Sequence, residues 1–254
     1  MRAVGLIVLS LLLAPLAASA QGDRFDEALP EGGAGTGGAV RAERSLYRGQ
    51  GVRYDYLPVN VYVGERFYAH SDRLGVKHDF DAARRVDLFL AHRYEGTPLD
   101  EEADVLAGMA RREQATDLGI GYRVRTAWGT LSAELLRNAD GASDGTELRL
   151  RWQDELRRGR VRLWPQAALA WRDAKLNNYY YGVRADEATA ARPAYEAGAG
   201  LNLQLALYAT YPLSAHWQLL AGVAATQWAS TVRNSPIVAS GLQSAATLGL
   251  LYEN

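Results

Sequence analysis

Arginines spaced two residues apart are the feature of this chain most able to do chemistry. Arg123 and Arg125 form one such pair, Arg149 and Arg151 another, and Arg93, Arg162 and Arg172 stand in segments of similar pattern. In an extended strand, residues i and i+2 share a face. Each pair therefore points one way, and Asp87, Glu134, Glu147 and Glu155 fall on the same faces. Such a set does one of two things: it pairs across strands and fills an interior, or it lines an anion-favouring constriction for small solutes.

A second candidate is Tyr179-Tyr180-Tyr181 with Trp171, next to Asn177, Asn178 and Arg184. Aromatic faces beside amides make a stacking surface for a sugar or drug-like ligand, or else ordinary loop packing at an interface. Catalytic chemistry has little to work with. His70, His78, His92 and His216 are scattered without metal-ligand spacing. His70 adjoins Ser71, but neighbouring strand residues face opposite sides and cannot act as base and nucleophile. Gly119-Ile120-Gly121 lies within a strand pattern, where close backbone approach or a bend accounts for it better than a phosphate loop. The reading is no catalytic residue, no cofactor and no metal, hence not an enzyme.

The elements that must position these side chains are legible in Leu201–Tyr211, LNLQLALYATY. Leu201, Leu203, Leu205 and Leu207 share one strand face; Asn202, Gln204, Ala206 and Tyr208 share the other. The alternation recurs. Val86, Leu88 and Leu90 oppose Arg85, Asp87 and Phe89, and Leu118, Ile120 and Tyr122 oppose Gly119, Gly121 and Arg123. Leu148, Leu150 and Trp152 oppose Glu147, Arg149 and Arg151, and a last strand runs from about Leu242 to Tyr252. Short turns at Trp128-Gly129, Arg157-Arg158-Gly159 and Pro212–Ala215 alternate with longer links at Glu95–Gln114, Asn138–Gly145, Asp173–Pro193 and Ser230–Ser240. Strands of about ten residues, apolar on one face, with short turns at one end and long loops at the other, specify an all-β, antiparallel transmembrane barrel. From Val86 onward there are eight strands. Ser45–His78 holds two long or four shorter ones, with breaks near Gly49-Gln50-Gly51, Gly64-Glu65 and Ser71-Asp72. The total is twelve or ten, and twelve is favoured. Asp100–Met109 reads either as a short helix in an external loop or as a solvated loop with one helical turn.

Bulk properties agree. Met1–Ala20 reads as a secretory signal: Arg2, an apolar run to Leu16, then Ala18-Ser19-Ala20. Cysteine is absent, which excludes disulfides, thiol chemistry and a lipid-anchored cysteine, and net charge is −1, which gives no field for nucleic acid. Six tryptophans and fourteen tyrosines suit aromatic girdles at two membrane interfaces. The domain reading is signal peptide 1–20, flexible periplasmic leader 21–44 containing the GGAGTGG spacer, and outer-membrane barrel 45–254.

The C-terminal half carries a resemblance. Asn177–Val183 (NNYYYGV), Arg192–Leu201, Tyr211-Pro212-Leu213 with Trp217, Ser235-Pro236-Ile237-Val238 and Gly249-Leu250-Leu251-Tyr252 resemble the loops and hairpins of the MltA-interacting protein/OmpV (MipA/OmpV) family. Tyr47, Gly49, Leu57-Pro58 and Arg66-Phe67-Tyr68 extend the resemblance more weakly toward the N-terminus. Two departures stand out. The chain ends Tyr252-Glu253-Asn254 in place of a terminal aromatic, and the charged Arg41–Arg44 segment stands where a glycine-rich first strand is usual. The resemblance implies an outer-membrane barrel in contact with lipid. It also implies a non-enzymatic scaffold that brings a lytic transglycosylase and a penicillin-binding peptidoglycan synthase together in the periplasm. The alternative is a narrow channel or small-solute binding barrel with an arginine-lined lumen.

Overall fold

The structure, a computed structural model, describes residues 33–96 and 103–253. The strands in chain order are β1 (Gly33–Arg44), β2 (Val52–Val63), β3 (Phe67–His70), β4 (Arg73–Asp79), β5 (Arg84–Arg93), β6 (Ala115–Thr126) and β7 (Gly129–Asn138). They continue with β8 (Thr146–Gln153), β9 (Leu156–Arg158), β10 (Val161–Arg172), β11 (Gly200–Pro212), β12 (Trp217–Gln227) and β13 (Leu242–Glu253). Every pairing is antiparallel, and β13 returns to pair with β1 from Gly35↔Glu253 to Glu43↔Ala245, which closes the sheet. Both β8 and β9 pair with β10, so they are one stave interrupted at Asp154-Glu155. The barrel therefore has twelve staves, an even number as bacterial barrels have.

Closure through Gly35↔Glu253 puts the start of the wall and its end on one side. That side carries the short turns, and the long loops crowd the other, so the first is periplasmic and the second external. The expected breaks at Gly64-Glu65 and Ser71-Asp72 are true interruptions, but no strand precedes Gly49-Gln50-Gly51 within that region. Residues 45–51 are the link between β1 and β2, so the region from Ser45 to His78 holds three strands, not two or four, and β1 supplies the remaining stave. One boundary needs correction. Gly33–Arg44, expected to belong to a flexible leader, is the first stave of the wall. Its glycines serve the ladder: a Cβ on Gly37 would lie 1.9 Å from the Leu250 carbonyl oxygen, so only glycine lets β13 approach there. Within it Arg41 and Glu43 point inward and are buried, while Val40 is exposed. The glycine-rich first strand is thus present, running directly into Arg41–Arg44. The signal segment 1–20 and the leader before Gly33 lie outside the described residues.

Among the described residues of the loop after β5 there is a 3-10 turn, Asp104–Leu106, which fits the reading of a loop with one helical turn rather than a short helix; residues 100–102 of that expectation are outside the described set. Sequence periodicity maps directly onto the wall. Leu205 is 55% exposed, whereas Asn202, on the opposite face of β11, is 1% exposed. Leu88, Leu90, Leu118, Ile120, Leu148 and Leu150 continue the exposed apolar belt around the barrel. A belt of that extent on a water-soluble protein would be an aggregation surface; in lipid it is the solvent-facing side. Tyr62, Phe67, Trp128, Tyr211 and Trp217 ring its periplasmic end, and Tyr54, Tyr56 and Trp171 its external end.

Candidate functional site: an ion-paired plug beneath an aromatic cap

Inward positions of the external half of the wall hold a connected set of charges. Arg93 contacts Asp117 at 2.5 Å, Glu147 at 3.0 Å and Glu95 at 3.7 Å. Arg172 reaches Glu95 at 2.9 Å and Glu147 at 3.1 Å, and Arg149 also pairs with Glu147. Arg149 lies 3.9 Å from Glu134, which Arg73 meets at 3.1 Å. The chain of contacts runs from β4 across the lumen to β10. Arg172 and Glu147 have no solvent exposure. A second group sits toward β1 and β2. Arg41 pairs with Glu43, Glu43 accepts from Gln243 Nε2 at 2.8 Å, and Arg53 pairs with Asp55 at 3.2 Å.

Strand parity places these residues. Glu147, Arg149 and Arg151 are the i, i+2, i+4 positions of β8 opposite its leucines, so all three turn from lipid into the barrel. Breaking a buried pair by removing one partner costs about 3–5 kcal/mol, while the intact pair adds little net stability. The set therefore acts as a specific fastening rather than a general stabiliser.

Above it lies an apolar cap. After β10 the chain forms α1 (Ala174–Tyr181), started by Asp173, whose carboxylate accepts from Leu176 N at 2.8 Å and from Thr146 N at 3.0 Å. Leu176, Tyr180 and Tyr181 pack with Leu46, Tyr47, Val183, Trp228, Ile237 and Val238. Tyr181 donates to Glu95 at 2.5 Å, and the Arg172 guanidinium lies 4.8 Å from the Trp228 ring centre. Burial, together with the neighbouring Glu95 carboxylate, pushes the Tyr181 hydroxyl well above its usual pKa and keeps it a neutral donor. Cap and plug are one hydrogen-bonded unit.

The loops are tied to one another as firmly. Arg112 pairs with Glu187 at 2.7 Å, and Arg192 donates to Ala107 O at 3.1 Å and Glu187 O at 2.6 Å. Burial raises the Glu187 pKa, but hydrogen bonds from Arg112, from the Arg184 N–H and from the Ala110 N–H outweigh it and draw it down to about 2.

Of the residues singled out from sequence, Arg93, Arg149, Arg151, Arg172, Glu134 and Glu147 are buried inside the barrel. Arg123, Arg125 and Arg162 lie at the periplasmic end instead; Arg162 sits 5.8 Å over the Trp164 ring. Tyr180 and Tyr181 are buried in the cap, and Tyr179 receives the Glu113 N–H at 2.8 Å. Asn177 holds Gly198 O at 2.9 Å, and Asn178 accepts from Ala197 N at 3.0 Å. Sequence reasoning missed Glu95, Asp117, Arg73 and the Arg41–Glu43 pair. Asp117 shares the parity of Gly119 and Gly121, and Glu95 that of Arg93, which was the available signal. The lower lumen is different: Ala39, Val59, Val61, Trp164, Tyr208, Leu220 and Leu251 form a buried apolar layer beneath the charges.

A closed twelve-stave wall with a leucine exterior and ion-paired charges in the external half of its interior defines an outer-membrane β-barrel protein. Residues 36–254 match the family model described as MltA-interacting protein MipA, and the chain belongs to that family. Outer membrane protein Omp26La of Vibrio anguillarum is 30% identical over 201 residues, covering 78% of this chain and 77% of that protein. OmpV of Vibrio cholerae serotype O1 is 29% identical over 199 residues, with the same coverage. The MltA-interacting protein of Escherichia coli K12 is 24% identical over 143 residues, 56% of this chain and 58% of that one. Among solved structures, an outer membrane channel from Pseudomonas putida F1 aligns with 92% of this chain and 100% of its own, at 14% identity and a TM-score of 0.43. The protein resides in the outer membrane.

Proposed function

We propose that this barrel is a non-enzymatic scaffold that gathers peptidoglycan-remodelling enzymes, a lytic transglycosylase and a penicillin-binding synthase, at the periplasmic face of the outer membrane. The observation that carries the reading is the ion-paired plug locked to the aromatic cap. With the external half of the lumen committed to internal contacts, the surfaces left for partners are the turns. Relatives named for interaction with MltA point the same way.

The docking element on this reading is the hairpin joining β9 to β10. Arg157 and Arg158 are exposed there, Arg157 is held by Glu155 at 2.7 Å, and Arg160 is fixed to Pro212 O at 2.8 Å. A basic hairpin on a rigid wall suits an acidic partner surface and a salt-sensitive encounter. The test is a photo-crosslinker at Arg158 in growing cells. Adducts with a transglycosylase or synthase that fall at least tenfold in Arg157→Glu plus Arg160→Glu support the scaffold. Adducts absent at native expression refute it. Discrete conductance steps in planar bilayers, lost in Arg149→Ala plus Arg151→Ala, would install the channel in its place.

A further inference from the structure

Among the described residues the wall has a gap. β2 runs twelve residues beside β1, from Gly33↔Val63 to Arg44↔Val52, yet pairs with β3 only at Tyr62↔Ala69 and Val63↔Tyr68. The β3–β4 hairpin turns back at Ser71-Asp72, so among the described residues no strand pairs with the external half of β2 on that side. Asn60 N–H points into this side, onto Ser71 Oγ at 3.1 Å. In an antiparallel ladder, residues of one parity share an edge, so Tyr56 and Tyr54 also aim their N–H and C=O groups there. Barrels span membranes because closure leaves no such edge, and lipid tails cannot satisfy one.

The surroundings define what fits. Across the hairpin tip stands the end of β5, which passes the tip only by His92 and Arg93 and lies three strand spacings, or about 14 Å, from β2. There Tyr94 donates to Ser71 O at 3.5 Å and His92 packs edge-on against Tyr94 at 4.5 Å. Tyr54 and Tyr56 are 67% and 69% exposed on the outer face. Pro58 has the parity of the open edge and lacks an N–H, which disfavours a strand added from another protein. The notch is thus edged with backbone donors and acceptors, flanked by tyrosines, and set at the external aromatic girdle, where headgroups lie. Hydroxyl-bearing rings hydrogen-bond to such edges and stack on such faces.

We propose that the notch between β2 and the β3–β4 hairpin binds the saccharide headgroup of an outer-leaflet glycolipid, with its acyl chains lying along the outer face of β2. Sugar hydroxyls complete the edge at Tyr54 and Tyr56, and Tyr54, Tyr56 and Tyr94 supply the stacking faces. The site is independent of the periplasmic docking hairpin.

The experiment places benzoylphenylalanine at Tyr56 and, as a control on the leucine belt, at Leu205, in cells carrying the full chain. Heat-shifted gel mobility verifies that each variant is folded. Irradiation should give a glycolipid adduct at position 56 at least tenfold above that at position 205. Native mass spectrometry of the purified barrel with added lipid A should show retention that Tyr54→Ala plus Tyr56→Ala lowers at least tenfold, with phosphatidylglycerol retained equally by both. Equal adduct yields at the two positions, a protein adduct at position 56, or lipid A retention unchanged by the double substitution would each overturn the assignment.

Discussion

Glu147→Gln is the most direct probe of the plug. The change keeps the side chain's volume and removes one charge from the point where Arg93, Arg172 and Arg149 converge. At an effective dielectric of 20, each contact near 3 Å represents on the order of 5 kcal/mol of Coulomb attraction before desolvation. Most of that is offset by the cost of burying the ions, so the intact cluster adds little net stability. The substitution is asymmetric, however. It leaves three guanidinium groups buried with only Glu95, Asp117 and Glu134 to share, and losses of about 3–5 kcal/mol follow from stranding one buried charge. The measurement is the urea dependence of unfolding in detergent micelles, followed by tryptophan emission and heat-shifted mobility, with reversibility established first. The double variant Glu147→Gln plus Arg149→Gln restores the charge balance and should recover at least 1 kcal/mol, because residues in one network do not add independently. A single-variant loss below about 1 kcal/mol, or a double variant whose losses simply sum, would refute a coupled plug.

Three further outcomes follow from the same geometry. A Cβ on Gly119 would lie 2.2 Å from the Phe89 ring, on which the Arg73 guanidinium stacks at 3.7 Å, so Gly119→Ala should cost about 1–3 kcal/mol by overpacking; an unchanged unfolding midpoint would show that Phe89 moves freely. Glu187 releases its proton near pH 2 in the folded loop, and near 4.3 in an unfolded chain. The unfolded state therefore binds more protons between these values, and the loop's stability, fully present above about pH 4.3, is lost as the pH falls toward 2. Acid should raise protease cleavage in the two external segments that Glu187 ties together, residues 107–114 and 182–193, over that window, and Glu187→Gln should raise it at neutral pH and flatten the dependence. Finally, Leu205→Arg faces lipid and should cost about 2–4 kcal/mol, while Leu213→Arg, in the periplasmic turn, should cost less than about 1 kcal/mol. Equal costs would mean that the leucine belt is not bathed by lipid.

Much of the wall could be read from the chain because a one-residue slip would move every leucine of a strand from lipid to lumen. That constraint is strict wherever one face is bulky and apolar, as in β5, β6, β8 and β11. It fails in β1. Gly35, Gly37, Gly38 and Ala39 put small residues on both faces, so no alternation appears until Val40, and the segment looks like a linker. What makes it a strand is supplied from elsewhere, by β2 and β13 ladders on either side. β3 fails for another reason: four residues are too few to display a period, and only the turns at Gly64-Glu65 and Ser71-Asp72 marked its ends.

Parity told which arginines turn inward, but not what they meet. Arg73 and Glu134 are joined across the lumen although 61 positions apart, and Tyr181 and Glu95 although 86 apart. Partners of that kind are chosen by the tilt and closure of the barrel, which no local window contains. The tyrosine triplet shows the same limit from the other side. In sequence it is an aromatic cluster free to face a ligand. A helical turn instead sends Tyr179, Tyr180 and Tyr181 in different directions, and two of the three enter the cap. The arginines and the tyrosines, which suggested two separate sites, meet at Glu95, where Tyr181 and Arg172 bind the same carboxylate oxygen. A residue from a loop is thus the joint that makes plug and cap a single body. Opening one must disturb the other, so a solute path through the external end would require both to move together.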